Sequence, residues 1–206
     1  MSEKVSIGIL MIIYLVGLLG IGLEIAPEIV KYTPINLILS IIIALAFDKN
    51  KISSVVIFST LVFVLGYGIE VAGVQTGKIF GQYTYGEILG PKLYNTPLMI
   101  GVNWVLVCYT AGYSVNAILP KLTILAKAAL ASCLLVVLDC IIEPVAIEWT
   151  MWTWESHGVP LQNYLAWWVI GLIMSFIFFK CFNNSTNNVG VAVFILQLLF
   201  FGLLNL

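Results

Sequence analysis

Seven apolar runs, each close to membrane-spanning length, constrain this chain more than any other feature. A helix needs about 20 mainly apolar residues to cross the ~30 Å hydrocarbon core of a bilayer. The runs lie at 5–23, 33–47, 52–72, 97–119, 122–143, 161–182 and 189–205. Charged residues make up 9% of the 206 positions, against about a quarter in soluble proteins. We therefore predict an all-α polytopic bundle of about seven transmembrane helices, a single domain over 1–206, in the cell membrane.

The distribution of lysines predicts the orientation of this bundle. With seven spans, six lysines fall on the side of the N-terminus and three on the opposite side. The six are Lys4, Lys49, Lys51, Lys121, Lys127 and Lys180, and the three are Lys31, Lys78 and Lys92. Cytoplasmic loops accumulate positive charge, so we expect the N-terminus in the cytoplasm. The alternative is a re-entrant second run, which ends early at Asp48 and would invert every later span.

The composition also excludes some partners. The chain has no arginine and a net charge of -1, so it offers no basic surface for nucleic acid. Its four cysteines lie in apolar runs without a CxxC pair or a spacing suited to zinc, and we interpret them as small buried hydrophobic residues. The sequence therefore predicts neither a metal site nor a cofactor site.

Three carboxyl groups stand out because ionisable side chains are costly at membrane depth and are usually functional there. Glu70 shares a helical face with Gly66 and Gly73, which allow close packing. Asp139 and Glu143 are one helical turn apart. With Asn103 and the start of the sixth span at Asn163, these residues approach one layer near the outer leaflet from four helices. A structural alternative is a polar zipper that holds the helices together.

The longest stretch that is not apolar runs from Gly73 to Thr96 and is rich in glycine and aromatic residues. Loops of this length in a compact protein are usually functional or disordered. We expect this one to fold over the bundle as a lid. The alternative is an interfacial belt of aromatic side chains.

Several motifs in 70–168 share the spacing of one known family. They are Gly77-x-x-Phe80-Gly81-x-Tyr83-x-Tyr85, Leu89-Gly90, Pro97, Trp104, Asp139-x-x-x-Glu143-Pro144, Trp152-x-Trp154, Gly158-x-Pro160 and Asn163-x-x-x-Trp167. This pattern resembles the membrane-bound carotenoid biosynthesis family of the CruF carotenoid 1,2-hydratase type. The chain departs from the family pattern in having Glu143-Pro144 where the family has Asp-Pro.

The resemblance implies addition of water to the terminal 1,2 double bond of an acyclic carotenoid such as lycopene, without a metal or redox cofactor. Asp139, Glu143 and Glu70 are then the catalytic acids and bases, since burial and mutual repulsion should leave the Asp139/Glu143 pair a proton near neutral pH. Aromatic faces would stabilise the cation that forms. The residues expected to bind substrate are Phe80, Tyr83, Tyr85, Asn103, Trp104, Trp152, Trp154, Asn163 and Trp167.

Two alternatives remain open from the sequence. In a magnesium-dependent intramembrane prenyltransferase, Asp139 and Glu143 would form an acidic metal motif, but the chain lacks arginine and a second acidic cluster for diphosphate. A protein without enzymatic activity, such as a transporter or a lipid- or quinone-binding subunit, would use the polar layer for binding. A seven-helix retinal protein is disfavoured, because the last span has no lysine for a Schiff base.

Overall fold

The computed structural model describes residues 2–156, 158–182 and 184–206. Seven α-helices account for most of these residues. They are α1 (Glu3–Gly22), α2 (Thr33–Ala46), α3 (Ile52–Thr76), α4 (Leu98–Ile118), α5 (Ile124–Glu148), α6 (Leu161–Phe182) and α7 (Asn188–Leu204). The predicted all-α helix bundle is confirmed. Its position in the cell membrane and the cytoplasmic N-terminus stay predictions.

Six helical segments in the described chain are long and apolar enough to cross a membrane. The short second run reaches this length because a 3-10 helix, Pro27–Tyr32, leads directly into α2, and the two span 20 residues together. Pro34 stands in the first turn of α2, where its missing N–H costs nothing. The last helix, α7, has 17 residues, which is at the short end of the spanning range.

Helix α4 forms the centre of the bundle and is buried along most of its length. Small residues allow its neighbours to approach closely. A Cβ atom on Gly112 would lie 2.4 Å from the Phe178 ring of α6, and one on Gly101 would lie 2.7 Å from the Phe63 ring of α3. Such close packing is how helices associate in lipid, where burial of apolar surface gives little driving force. The other helices expose apolar side chains around this core.

Polar contacts join the chain segments at the end of the bundle that carries the N-terminus. Lys49 lies 3.3 Å from a Glu3 carboxylate oxygen. The Asp48 carboxylate accepts hydrogen bonds from the hydroxyls of Tyr109 at 2.6 Å and Tyr113 at 2.7 Å, both on α4. These bonds tie the α2–α3 connection to the central helix. This cluster was not predicted from the sequence.

The segment between α3 and α4 lies at the opposite end and contains three short strands, β1 (Tyr83–Tyr85), β2 (Lys92–Leu93) and β3 (Thr96–Pro97). β2 and β3 pair as a small antiparallel hairpin. β1 pairs with β4 (Trp152–Trp154), which follows α5, in the antiparallel register Tyr83–Trp154, Thr84–Thr153, Tyr85–Trp152. We call the β1–β4 pair the ribbon. It links the two connections of this end.

Two expectations about the chain need correction. The fifth predicted span, 122–143, stops just before Pro144, whereas α5 continues through this proline to Glu148. A proline there removes one backbone hydrogen bond but does not stop a helix supported by its neighbours. The cysteines are not all buried either. Cys108 is buried, whereas Cys133 and Cys140 lie on the outer surface of α5, the surface available to lipid.

Candidate active site

Glu70 occupies the last two turns of α3 and is almost fully buried, at 4% exposure. One carboxylate oxygen, Oε2, accepts hydrogen bonds from the hydroxyls of Tyr83 at 2.6 Å and Tyr85 at 2.8 Å. The other oxygen, Oε1, accepts from the indole N–H of Trp104 at 3.0 Å. Both oxygens are thus acceptors, which compensates for burying the group.

The two tyrosines are fixed as donors to Glu70. They lie on the ribbon, outside the spanning helices. Burial and the neighbouring Glu70 charge raise the pKa of each hydroxyl above its ordinary value. Both therefore stay protonated at neutral pH and keep donating. Gly73 makes room for them, since a Cβ atom there would lie 2.6 Å from the Phe80 ring and 3.4 Å from the Tyr83 hydroxyl.

Glu143 is held by the other strand of the ribbon. Its Oε2 atom accepts hydrogen bonds from the indole N–H groups of Trp152 and Trp154, each at 3.0 Å. Indole nitrogens donate and never accept. Successive strand residues point to opposite faces, so Trp152 and Trp154 point to the same side as Tyr83 and Tyr85. One face of the ribbon thus supplies four donors to two carboxyl groups.

Asp139 has a different environment from the other two carboxyls. It lies on α5, one turn before Glu143, at 3% exposure. Its Oδ2 atom accepts a hydrogen bond from the Asn163 side-chain amide on α6 at 2.7 Å. Among the described residues, the structure gives its Oδ1 atom no hydrogen-bond partner. Asp139 therefore has one directed donor, whereas Glu143 has two and Glu70 has three.

Aromatic rings complete the walls. The Trp104 and Trp167 rings stack with centroids 4.2 Å apart and planes 23° from parallel. The Tyr83 and Trp154 rings, which face each other across the ribbon, have centroids 4.9 Å apart. Trp104 packs directly on Gly66, where an added Cβ atom would lie 2.6 Å from its ring. The small residue that marked this helical face in the sequence thus creates the space for an indole ring.

These side chains surround one cavity, which we call the carboxyl cavity. Its volume is about 40 Å³, so little of it is open. All the residues that the sequence analysis proposed as catalytic or substrate-binding line it, together with Ile100. The lining residues are Glu70, Phe80, Tyr83, Tyr85, Ile100, Asn103, Trp104, Asp139, Glu143, Trp152, Trp154, Asn163 and Trp167.

Three features of the cavity were not predicted from the sequence. Ile100 gave no signal, because one isoleucine in an apolar run is indistinguishable from its neighbours. The pairing of β1 with β4 was also missed, although Tyr83-x-Tyr85 and Trp152-x-Trp154 share the two-residue period of a strand. The third is the hydrogen bonding of the aromatic side chains, which were expected to act through their ring faces alone. Among the described residues, no three histidine, cysteine or acidic side chains are grouped to hold a metal ion.

Comparison with known proteins defines the class to which this fold and cavity belong. A family model described as "Carotenoid biosynthesis protein" matches residues 32–206, which include every residue of the cavity. The chain belongs to this carotenoid biosynthesis family.

One relative with a named activity is the bisanhydrobacterioruberin hydratase of Haloarcula japonica, which is 33% identical to this chain over 120 residues. The match covers 54% of this chain and 40% of the relative, so the chain spans less than half the length of that protein. No solved structure matches the chain.

Proposed function

We propose that this protein hydrates the terminal 1,2 double bond of an acyclic carotenoid. The family membership and the hydratase activity named for the relative support a carotenoid substrate and a hydration reaction. The observation that carries the proposal is the carboxyl cavity, where three buried carboxyl groups meet under aromatic rings at one end of the bundle.

The reaction requires a proton donor, a base and groups that stabilise a cation. Protonation of the less substituted alkene carbon uses the π electrons to form a C–H bond and leaves a tertiary cation. A water oxygen then forms a C–O bond to the cation and loses a proton to a base. The acid must reach the less substituted alkene carbon and the base must reach the water beside the cationic carbon, so both groups must lie close to one end of the substrate.

Asp139 is the proton donor in this proposal. A carboxyl group that gives its proton to carbon needs an oxygen that no other donor occupies. Both oxygens of Glu70 accept hydrogen bonds. Asp139 and Glu143 each have one oxygen without a hydrogen-bond donor among the described residues, but Glu143 accepts two indole bonds on its other oxygen and Asp139 accepts one amide bond, so Asp139 has the fewest directed donors of the three. Asn163 acts as a positioning residue, because its amide fixes the Asp139 carboxyl through Oδ2.

Glu70 and Glu143 provide negative charge to the cation and an acceptor for the proton from water. Hydrogen bonds from the ribbon and Trp104 favour their charged forms. Aromatic rings that line the cavity, such as those of Tyr83 and Trp154, add cation–π attraction when the end group lies against their faces, and this attraction is stronger in a desolvated site. Because so little of the cavity is open in this structure, the end group must displace some of these rings to bind.

The magnesium-dependent prenyltransferase is less well supported by this arrangement. Carboxylates that bind a metal direct lone pairs at a common ion. Here the lone pairs of Glu70 and one oxygen of Glu143 are directed at hydroxyl and indole donors. A binding or transport protein would not require three acids in so small a space, since each must be compensated for desolvation.

Expression in a host that accumulates an acyclic carotenoid tests the proposal. We expect pigments that have gained one or two molecules of water, in purified membranes without added cofactor and in the presence of a metal chelator. Products lengthened by prenyl units, or conversion that stops with the chelator, would support the transferase instead. Pigment that is bound but unchanged would support a binding protein.

A further inference from the structure

A second, polar cavity lies on the ribbon directly beside the carboxyl cavity. Its volume is about 370 Å³, much more than the 40 Å³ open to water-sized molecules in the carboxyl cavity. We call it the vestibule. Polar side chains dominate its lining, including Gln75, Gln82, Thr84, Lys92, Asn95 and Glu155. Most of these side chains are exposed, so the vestibule lies on the aqueous side of this end of the bundle.

Tyr83 and Tyr85 line both the vestibule and the carboxyl cavity. One strand, β1, is therefore the wall between bulk water and the three buried acids. The hydroxyls of both tyrosines donate to Glu70 Oε2 at 2.6 and 2.8 Å. Glu70 is thus the carboxyl reached first through this wall.

Lys92 supports the wall from the vestibule side. Its ammonium group donates to the Tyr85 carbonyl oxygen and to Glu87, each at 2.7 Å. This contact fixes the backbone of β1 beside an open polar space. Two tyrosine residues thus separate the open polar space of the vestibule from a buried carboxylate.

From this geometry we propose that the vestibule is the route by which substrate water reaches the carotenoid cation, with Tyr83 and Tyr85 as its gate and Glu70 as the base that receives the proton. The inference rests on the hydratase function proposed above. The water oxygen forms the new C–O bond, one of its protons passes to Glu70, and Asp139 has already given its own proton to the alkene. The proton on Glu70 returns to Asp139 before the next turnover, so the cycle adds one water and leaves the protein unchanged.

Thr84 and Thr153 provide a matched pair for the test. They are cross-strand partners at the centre of the ribbon, and both are exposed on the face opposite the acids. Thr84 lines the vestibule, whereas Thr153 does not. Neither belongs to the proposed catalytic or binding residues. A tryptophan at position 84 should fill part of the vestibule, and the same change at position 153 should not.

The assay is conversion of an acyclic carotenoid in D₂O by purified protein, with deuterium measured in both product and recovered substrate. A cation that captures water becomes product, and a cation that finds no water loses a proton and returns to alkene that carries deuterium. We expect Thr84→Trp to lower hydration about tenfold or more and to raise the ratio of deuterated substrate to product. We expect Thr153→Trp to match the wild type in both quantities.

The outcomes separate the vestibule from the proposed function. If Thr84→Trp hydrates at the wild-type rate, with an unchanged ratio of deuterated substrate to product, the proposed water route is wrong and the hydratase function is unaffected. Absence of hydration by the wild type would overturn both.

Should Thr84→Trp not fold, Thr84→Cys in folded protein can be treated with thiol reagents of increasing size, with Thr153→Cys as the control for the native cysteines. Activity that falls with reagent size at position 84 and not at 153 supports the vestibule. Equal response at both positions contradicts it.

Discussion

The substitution Gly66→Ala is expected to disable the cavity while leaving the bundle folded. An added Cβ atom would lie 2.6 Å from the Trp104 ring, whereas carbon atoms in contact are about 3.5–4.0 Å apart. Trp104 must therefore move by roughly 1 Å, and the 3.0 Å hydrogen bond from its indole to Glu70 would lengthen or break. Its stacking on Trp167 would change as well.

The expected changes in stability and activity follow from these displacements. Overpacking costs about 1–3 kcal/mol of stability, which the gain in helix propensity from glycine to alanine, about 1 kcal/mol, partly offsets. A shift of about 1 Å in a positioning group can lower activity by roughly 100-fold. We therefore expect a small change in thermal stability and a large loss of conversion.

Gly68→Ala is the matched control for this prediction. Gly68 lies two residues further along α3, and an added Cβ atom there has nothing within 4 Å. The same substitution should leave activity unchanged and stability unchanged or slightly raised. Both variants would be compared by pigment conversion per amount of monodisperse protein and by thermal unfolding in detergent. Equal activity for the two would refute the role assigned to Trp104.

Three further predictions concern the ribbon, Asp139 and the membrane orientation. Tyr83→Phe removes one donor to Glu70, and Tyr83→Ala removes the ring as well. Turnover should therefore be lower than in the wild type for Tyr83→Phe and lower still for Tyr83→Ala. Equal turnover in both variants would contradict a role for the Tyr83 ring. Asn163→Ala should lower kcat more than it raises KM, because it removes the amide that fixes the Asp139 carboxyl, and an effect on KM alone would contradict that positioning role. A cysteine placed at Glu155 should react with an impermeant reagent in intact cells and one placed at Lys49 should not, while the reverse pattern would invert the orientation.

The helices and the polar layer could be predicted from the sequence because the physical signals are strong and local. An apolar run of about 20 residues has few alternatives to a membrane helix, and carboxyl groups such as Glu70 and Asp139 must face protein rather than lipid. Placing Glu70, Asn103, Asp139 and Asn163 near helix ends on the same side was sufficient to bring them to one cavity.

The remaining features depend on contacts that are distant along the chain. The pairing of Tyr83 with Trp154 joins residues on either side of α4 and α5, and short strands of three residues carry little pattern. The fifth span was predicted to end at 143, just before Pro144, but α5 stays helical through this proline to Glu148. Asp139 and Glu70 differ in the donors that bond to them. The donors to Glu70 include two tyrosines of the ribbon, so this difference could not be predicted without the strand pairing.

The central claim is that Asp139 and Glu143 act as acid–base groups rather than as a polar zipper, and isosteric replacement tests it most directly. Asp139→Asn and Glu143→Gln keep size and hydrogen bonding, but the first removes the proton that Asp139 donates and the second removes the negative charge of Glu143. Glu148→Gln, an exposed position on the same helix, is the control. The measurement is conversion of an acyclic carotenoid per amount of monodisperse protein.

We expect each of the two buried changes to lower hydration by about 100-fold or more, with folded yield and carotenoid binding near the wild type and with Glu148→Gln fully active. In a zipper, activity and folded yield would fall together or not at all, because such hydrogen bonds contribute only about 0.6–2 kcal/mol in lipid. Full activity of the Asp139→Asn/Glu143→Gln double variant would contradict the acid–base assignment.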